Sequence, residues 1–404
     1  MKQKTLRFLD TTTEYAIYGV IFFIPISIAL ISAFAGIAST SFILKSFISK
    51  DLSDIKSNKI LFIILLIFFI FMGLSLFNSG PFIAKSVKAL LFKWGKYPFF
   101  IWAIIGTFKN TKRITNAMLV FFFSSMLLCL AVVTQKFMGF DIVRRQIIDS
   151  SFSPVTGPFK NQNALAAYLT TIIPIILSLS LWRWNNIVIK ASLFITMGML
   201  FISSFWTSCR GGWVGLITGL IYLILLNNHN RVKKSFVLIF FSTFIFLIPS
   251  VTLIFYFLSH GKEYRFLLAQ GAWQMITENP ILGKGIGTFM DYCSRYTNNL
   301  GPLYAHNCYL QMWAESGIFS LLSFLCLVGY VLYCSIKLSF GMTKSLSFFI
   351  LTGLTAGFLG FLVHSSFEVH LYSFQLSFIF WTILGLIVAL VNLLKQENTT
   401  SKVL

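Results

Sequence analysis

The amino-acid sequence predicts an all-α, polytopic membrane protein with about twelve transmembrane helices and one large helical loop between the ninth and tenth spans. Of its 404 residues, 57% are apolar and only 11% are charged. A soluble domain has about 25% charged residues, so this composition excludes an ordinary soluble protein. The net charge of +20 would suit a nucleic-acid-binding protein. Such a protein lacks apolar runs of ~20 residues, however, and we expect no nucleic-acid partner.

The predicted spans are apolar runs of about 17–25 residues between charged or Pro/Gly breaks. The first stretch, 15–48, is too long for one span and is interpreted as a hairpin of two helices that bends near Ser32 to Gly36. The remaining spans are 60–77, 97–108, 114–134, 164–182, 187–206, 211–226, 235–258, 316–336, 346–363 and 373–394. The range 1–404 is thus one integral membrane domain: 1–258 holds nine spans, 259–315 the large loop, and 316–404 three spans and a tail.

The basic residues predict the orientation of these spans. With the N-terminus inside, 19 of the 32 Lys and Arg residues fall on the cytoplasmic side. Four of the others lie in the 259–315 loop, where charges count little for the positive-inside rule. We therefore expect both termini in the cytoplasm and the long loop outside. The basic N-terminus lacks a small-residue cleavage site, so we do not expect it to be a cleavable signal.

A basic amphipathic helix is predicted near 82–96, between the third and fourth spans. Lys85, Lys88, Lys93 and Lys96 alternate there with apolar residues, which is typical of a helix that lies on a membrane. Such a helix either anchors the protein to lipid headgroups or forms a platform for an anionic lipid substrate. Both interpretations remain open.

Two outer segments, 135–163 and 259–315, are long enough to hold a functional site. In the second, 263–277 predicts a helix that carries Arg265 and stops at Asn279-Pro280. The GKGIG sequence at 283–287 follows no strand, so a glycine-rich turn is favoured over a phosphate-binding loop.

Three residues at predicted outer helix ends are candidates for anion binding or proton transfer. Arg210 lies in a short turn between two apolar helices, where a guanidinium is costly and indicates function; the alternative is a headgroup anchor or helix cap. With Arg265 it offers two planar cations that suit a diphosphate. His306, just before a span, would accept a proton from a hydroxyl, the alternative being a buried histidine bonded to the backbone.

The last outer turn contains His364, Glu368 and His370. If this turn is helical, His364 and Glu368 face each other, and a local ion pair or cap is favoured over a metal site because the spacing fits no standard zinc motif. No paired acids suited to a divalent cation occur outside, so basic side chains must neutralise any bound diphosphate. The six cysteines form no CxxC motif, and a Cys293–Cys308 disulfide is left open.

Five segments together resemble the superfamily of O-antigen ligases and polymerases, which are bacterial membrane glycosyltransferases. They cover about 150–390, while the first 150 residues match only in hydropathy. They read GPFKNQNALAAYL (157–169), TSCRGG (207–212), YRFLLAQGAWQMITENPILGKGIGTF (264–289), AHNCYLQMWAESGIFSLLSFL (305–325) and HSSFEVHLYSFQLSFIFWTILGL (364–386). Two departures from the family pattern are Cys209 between Ser208 and Arg210, and Glu368 where Asp is common.

The resemblance implies an O-antigen ligase of the bacterial inner membrane, with its active site on the periplasmic face. Such an enzyme transfers an undecaprenyl-diphosphate-linked polysaccharide to a sugar hydroxyl of lipid A–core, by inversion and without metal or cofactor. It implies catalytic roles for Arg210, Arg265 and His306. The candidate substrate-binding residues are Lys160, Asn163, Asn307, Tyr309, His364 and Glu368.

Other functions remain open at this point. An O-antigen polymerase has the same chemistry and is poorly separated from a ligase by sequence. A lipid-linked-sugar flippase or other transporter should show broken helices and paired charges at mid-membrane, whereas the polar residues here gather at outer helix ends. A protein-directed oligosaccharyltransferase of the same superfamily is a further alternative.

Overall fold

The computed structural model describes residues 2–147, 154–228, 233, 264–296 and 303–400, and these ranges form a bundle of α-helices. The helices are α1 (Lys2–Phe23), α2 (Ile28–Ser49), α3 (Ser53–Ser57), α4 (Lys59–Leu74), α5 (Ile83–Lys88), α6 (Tyr97–Thr107), α7 (Thr111–Met138), α8 (Gln162–Ser180), α9 (Ile187–Trp206), α10 (Arg210–Asn227), α11 (Tyr264–Glu278), α12 (Phe289–Tyr296), α13 (Cys308–Ser339), α14 (Leu346–His364) and α15 (Phe374–Thr400). Strands β1 (Phe140–Asp141) and β2 (Gln146–Ile147) form a small antiparallel hairpin.

Nine helices in the described ranges are long and apolar enough to cross a membrane, which confirms the predicted all-α, polytopic fold class. They are α2, α4 with its following turn, α7, α8, α9, α10, α13, α14 and α15. Helices α1 and α6 occupy the first and fourth predicted spans, but α6 has only 11 residues. The predicted span 235–258 lies outside the described residues.

The N-terminal helical hairpin is confirmed, but the position predicted for its bend is wrong. The bend lies at 24–27, between α1 and α2, whereas Ser32 and Gly36 lie inside α2. Pro25 lacks the backbone N–H that would continue the helix, and the Ser27 side chain accepts a hydrogen bond from Leu30 N–H at 3.4 Å, capping α2. Small residues such as Ser32 and Gly36 are tolerated within a membrane helix.

Short polar residues fix where several of the long helices begin. Each of them accepts a hydrogen bond from an N–H group in the first turn that would otherwise lack a partner. These caps are Asn110 on α7, Asn161 on α8, Asn186 on α9, Asn307 on α13 and Ser345 on α14.

The bundle has two chemically different ends. The end where α1 begins and α15 finishes, called the terminal end, is held by ion pairs from Asp10 to Lys45 (2.5 Å) and to Arg113 (2.6 Å). Asn58 and Asn392 are hydrogen bonded nearby at 3.0 Å. The opposite end, called the site end, carries all nine candidate site residues.

Helices α8, α10 and α14 pack with their backbones almost in contact. A Cβ atom on Gly215 of α10 would lie 2.5 Å from the Gly360 carbonyl oxygen of α14, and one on Gly357 would lie 2.2 Å from the Thr171 carbonyl oxygen of α8. Glycine at such contacts is typical of membrane helix interfaces. The close packing fixes the site ends of these helices relative to one another.

The described part of the 259–315 loop has its own small apolar core, which includes the start of α13. The helix predicted at 263–277 is confirmed as α11, and Ala269 and Ala272 are buried against α12 and the start of α13. This core presses α11, and with it Arg265, against the first turns of α13.

The GKGIG sequence forms the favoured glycine-rich turn, which packs onto the start of α13. The buried Glu315 carboxylate accepts the N–H groups of Gly287 (2.8 Å) and Phe289 (3.0 Å), and the Glu315 carbonyl oxygen accepts that of Gly285 (2.8 Å). These backbone donors are therefore engaged within the protein. Gly317, with φ 81°, breaks α13 just beyond this contact.

Candidate active site

Glu368 is the centre of a polar cluster at the site end. It lies in the turn between α14 and α15, and its Oε1 atom accepts hydrogen bonds from Asn163 Nδ2 (2.6 Å) and Arg265 Nη2 (3.1 Å). Its Oε2 atom lies 2.9 Å from His306 Nδ1. One carboxylate therefore joins side chains from α8, α11 and the segment before α13.

The solvent exposure of the side chains in this cluster increases from the carboxylate to the guanidinium. The side chain of Glu368 is 10% exposed, that of His306 19%, and that of Arg265 39%. A carboxylate next to Nδ1 holds the imidazole in the tautomer whose lone pair is on Nε2. The arrangement suits a histidine that accepts a proton beside a cation that binds an anion.

Local backbone geometry places His306 at this position. His306 has a φ of 50°, in the left-handed region that few non-glycine residues adopt. Immediately after it, Asn307 Oδ1 accepts the N–H groups of Tyr309 and Leu310, each at 3.0 Å, and so starts α13. The left-handed residue turns the chain into the helix and directs the imidazole towards Glu368.

Arg210 is the first residue of α10 and lies beside the Glu368 turn. A Cβ atom on the adjacent Gly211 would be 2.8 Å from Cβ of Phe367, the residue before Glu368. The Arg210 side chain is exposed, as is that of Lys160, just before α8. Within the described ranges, neither forms an ion pair.

His364 does not form the predicted pair with Glu368, and that prediction is wrong because α14 ends at His364. The imidazole is instead fully buried, with Nε2 3.4 Å from Cys209 Sγ and the ring 4.3 Å from that of His370. Burial, with a smaller effect from His364, lowers the pKa of His370 well below its usual value. His370 is therefore neutral at physiological pH.

The other two predicted substrate-binding residues have partners within the protein. Asn307 caps α13, and buried Tyr309 donates a hydrogen bond from Oη to the Leu362 carbonyl oxygen at 2.7 Å. Tyr309 thereby holds the start of α13, next to His306, against α14. Cys293 and Cys308 are not joined by a disulfide.

Sequence reasoning missed two aromatic residues near the cluster. The rings of Tyr304 and Tyr372 lie 6.4 Å apart and are partly exposed, and Tyr304 is two residues before His306. The position of Tyr304, two residues before a candidate catalytic histidine, could have identified it from the sequence. The closeness of Tyr372 was not visible in the sequence, because it depends on the 365–373 turn.

Part of the chain that carries this cluster is similar to known proteins. Residues 195–325 match a family model described as O-Antigen ligase, and this range contains Arg210, Arg265 and His306 but not Asn163 or Glu368. A relative found among characterised proteins is the teichuronic acid biosynthesis protein TuaE of Bacillus subtilis (strain 168). It is 23% identical over 264 residues, which span 60% of this chain and 53% of the relative.

The matched range begins in α9, continues through α10 and α11, and ends in α13. It therefore includes both predicted catalytic arginines and the histidine, and three of the five segments that carry the resemblance. Residues 195–325 of this multi-pass membrane protein are therefore similar to the O-antigen ligase family, as the sequence motifs predicted.

Proposed function

We propose that this protein is an O-antigen ligase that transfers a glycan from a lipid diphosphate, such as undecaprenyl diphosphate, to a sugar hydroxyl of a lipid-anchored acceptor. Lipid A–core is the acceptor that the family suggests. One observation carries the proposal: Glu368 holds His306 and Arg265 on a single carboxylate at one end of a membrane bundle. This places a proton acceptor beside a cation that suits a diphosphate.

In the proposed reaction, His306 is the general base. The acceptor hydroxyl oxygen forms a bond to the anomeric carbon, and its proton moves to Nε2 of His306. Glu368 stabilises the resulting imidazolium through Nδ1, as a carboxylate does in other histidine-based sites. General-base assistance of this kind contributes about 10²–10⁴-fold to the rate.

The leaving group requires cations rather than a base. The bond between the anomeric carbon and the diphosphate oxygen breaks, and the diphosphate leaves with the electron pair. Arg210, Arg265 and Lys160 would neutralise its charge, with each well-placed donor contributing about 3–4 kcal/mol to transition-state stabilisation. The single displacement inverts the anomeric carbon. The donor bond is already activated, so the step requires no nucleotide.

An O-antigen polymerase is the second candidate, because the same cluster would serve when the acceptor is another lipid-linked glycan. Similarity to a teichuronic acid biosynthesis protein supports polysaccharide assembly in general. The acceptor distinguishes the two functions. The same proposal places both termini in the cytoplasm, which the distribution of basic residues supports, and the active site on the periplasmic face of the inner membrane, which the family resemblance implies.

The test is transfer by purified protein in nanodiscs, supplied with a lipid-diphosphate-linked glycan and lipid A–core but no ATP. We expect conjugate from the wild type, and a loss of about 10²-fold or more from His306→Ala. The matched control is Arg183→Ala, an exposed cation before α9 at the terminal end, which should retain activity.

The outcomes separate the candidates. Lipid A–core conjugate identifies a ligase, and elongated lipid-linked glycan without conjugate identifies a polymerase. Full activity of His306→Ala would refute the proposed base. Movement of the donor across the bilayer without any new glycosidic bond would instead indicate a flippase.

A further inference from the structure

The segment between α4 and α6 has the character of a membrane-surface element. After short 3₁₀ turns, α5 (Ile83–Lys88) continues into a π-helical turn, Ala89–Trp94. Ile83, Val87 and Leu91 form an exposed apolar stripe along it. A short amphipathic segment that follows a membrane-spanning helix is typical of one that lies in the plane of the interface. We call residues 83–96 the surface segment.

The surface segment is fixed to the loop that carries the candidate active site. Tyr292 Oη donates to the Ser79 carbonyl oxygen at 2.9 Å, just before the segment, and Lys85 Nζ forms an ion pair with Asp291 at 2.5 Å. The segment therefore holds a defined position relative to the loop.

The lysines of the surface segment differ in their partners. Lys85 is neutralised by Asp291, but Lys93 is exposed and, like Lys96, forms no ion pair within the described ranges. The Lys96 ammonium lies 3.9 Å from the ring centre of Phe374 and 5.3 Å from that of Tyr97. Aromatic faces stabilise a cation without neutralising it, so Lys96 keeps its charge available for an anion.

A row of aromatic rings runs from Trp94, beside these lysines in the chain, to the segment that carries His306. Trp94 lies between Lys93 and Lys96, and its ring is 5.7 Å from that of Tyr372. Tyr372 in turn lies 6.4 Å from Tyr304, two residues before His306. The Tyr372 hydroxyl is buried, so this residue offers the face of its ring. Partly exposed rings of this kind suit the C–H faces of sugar rings.

Building on the proposed function, we propose that Lys93 and Lys96 bind the phosphate of a phosphorylated, lipid-anchored glycan acceptor, whose sugars lie over Tyr372 and Tyr304. The acceptor hydroxyl then reaches His306 from the side of the surface segment. The donor diphosphate occupies Arg210 and Lys160 on the side of α8 and α10. The two substrates thus approach the Glu368 cluster from different sides.

The test measures acceptor binding without turnover. Purified protein in phosphatidylcholine nanodiscs is titrated with lipid A carrying two phosphates, and with the same lipid after phosphate removal. We expect the wild type to prefer the phosphorylated form. The Lys93→Gln/Lys96→Gln variant should bind it about tenfold more weakly, or by about 1.4 kcal/mol, because two charge-assisted contacts to the phosphate are lost.

Matched variants separate binding from folding. Lys56→Gln/Lys59→Gln removes two exposed lysines at the terminal end and should leave affinity unchanged. Tyr304→Leu should weaken binding, whereas Tyr304→Phe retains the ring and should restore it. All variants are compared by thermal melting, so that a loss of affinity is not attributed to unfolding.

Two results would overturn the proposal. The first is unchanged affinity of the Lys93→Gln/Lys96→Gln variant. The second is loss of the preference for phosphorylated lipid A when phosphatidylglycerol replaces phosphatidylcholine, which would mean that the lysines bind bulk anionic lipid. Transfer by His306→Ala tests the proposed catalytic base, whereas acceptor affinity of Lys93→Gln/Lys96→Gln tests this proposal, so the two failures are distinguishable.

Discussion

The Nδ1 atom of His306 lies 2.9 Å from the Oε2 atom of Glu368, although 62 positions separate the two residues in the chain. Glu368 also lies outside the range that matches the O-Antigen ligase family model, whereas His306 lies within it. The orientation of the proposed base therefore depends on the turn between α14 and α15. The close packing of α8 and α14 fixes this turn relative to α8.

Glu368→Gln should lower kcat for transfer by about 10²-fold or more, because the neutral amide no longer stabilises an imidazolium on His306. Glu368→Asp keeps the charge and should recover part of the rate. The measurement is conjugate formation under saturating donor and acceptor. The control Asp51→Asn removes an exposed acid at the terminal end and should have no effect. Wild-type kcat in Glu368→Gln would exclude an electrostatic role for this carboxylate.

Arg210→Ala should reduce kcat/KM for the donor by about 10²-fold, the loss of roughly 3 kcal/mol of charge stabilisation at the diphosphate. Arg210→Lys should recover only part of this, since an ammonium lacks the two parallel donors that a guanidinium offers to phosphate. The acceptor KM should not change. A selective rise in acceptor KM would assign Arg210 to the acceptor instead.

Gly317→Ala should destabilise the protein by about 2 kcal/mol or more, because φ is 81° and the new Cβ would lie 1.9 Å from the Ile281 carbonyl oxygen. Gly329→Ala is the matched control in the same helix, where a Cβ meets nothing within 4 Å. It should be neutral or stabilising by up to about 1 kcal/mol. Thermal unfolding followed by tryptophan fluorescence measures both. Equal melting temperatures would show that the Gly317 break is not required.

Acceptor binding should weaken between pH 7 and pH 9. Burial lowers the pKa of Lys96 to about 8, so the ammonium is mostly charged at the lower pH and mostly neutral at the higher. Tyr97 is a titratable side chain that faces it at 5.3 Å, and exposed Lys93 is three positions before it in the chain. The measurement is affinity for phosphorylated lipid A at each pH. Lys96→Arg should remove most of the pH dependence, and an unchanged profile in that variant would argue against Lys96.

The sequence was sufficient to predict the polytopic helical fold class and the loop helix α11, because both depend on local patterns. Apolar runs of membrane-spanning length mark the helices, and Asn279-Pro280 marks the end of α11. The error at the N-terminal bend was also local. Ser32 and Gly36 suggested flexibility, but Pro25 with the Ser27 cap determined the break.

The partners of the site residues were not predictable in the same way. His364 and Glu368 pair only if the helix continues, and α14 ends at His364, which leaves Glu368 for His306 and Arg265. That ending depends on tertiary contacts, such as the Cys308 N–H bonded to the Ser365 carbonyl oxygen at 2.9 Å. Contacts between distant chain segments leave no periodic pattern in the sequence.

The left-handed backbone at His306 lowers the stability of the fold at the position where the proposed mechanism requires an imidazole. A non-glycine residue in that conformation costs about 1–3 kcal/mol, which the surrounding contacts must offset. Glycine adopts the same conformation at little cost. An inactive His306→Gly protein should therefore melt at a higher temperature than His306→Ala. The protein thus carries the imidazole at a position where glycine would give a less strained backbone.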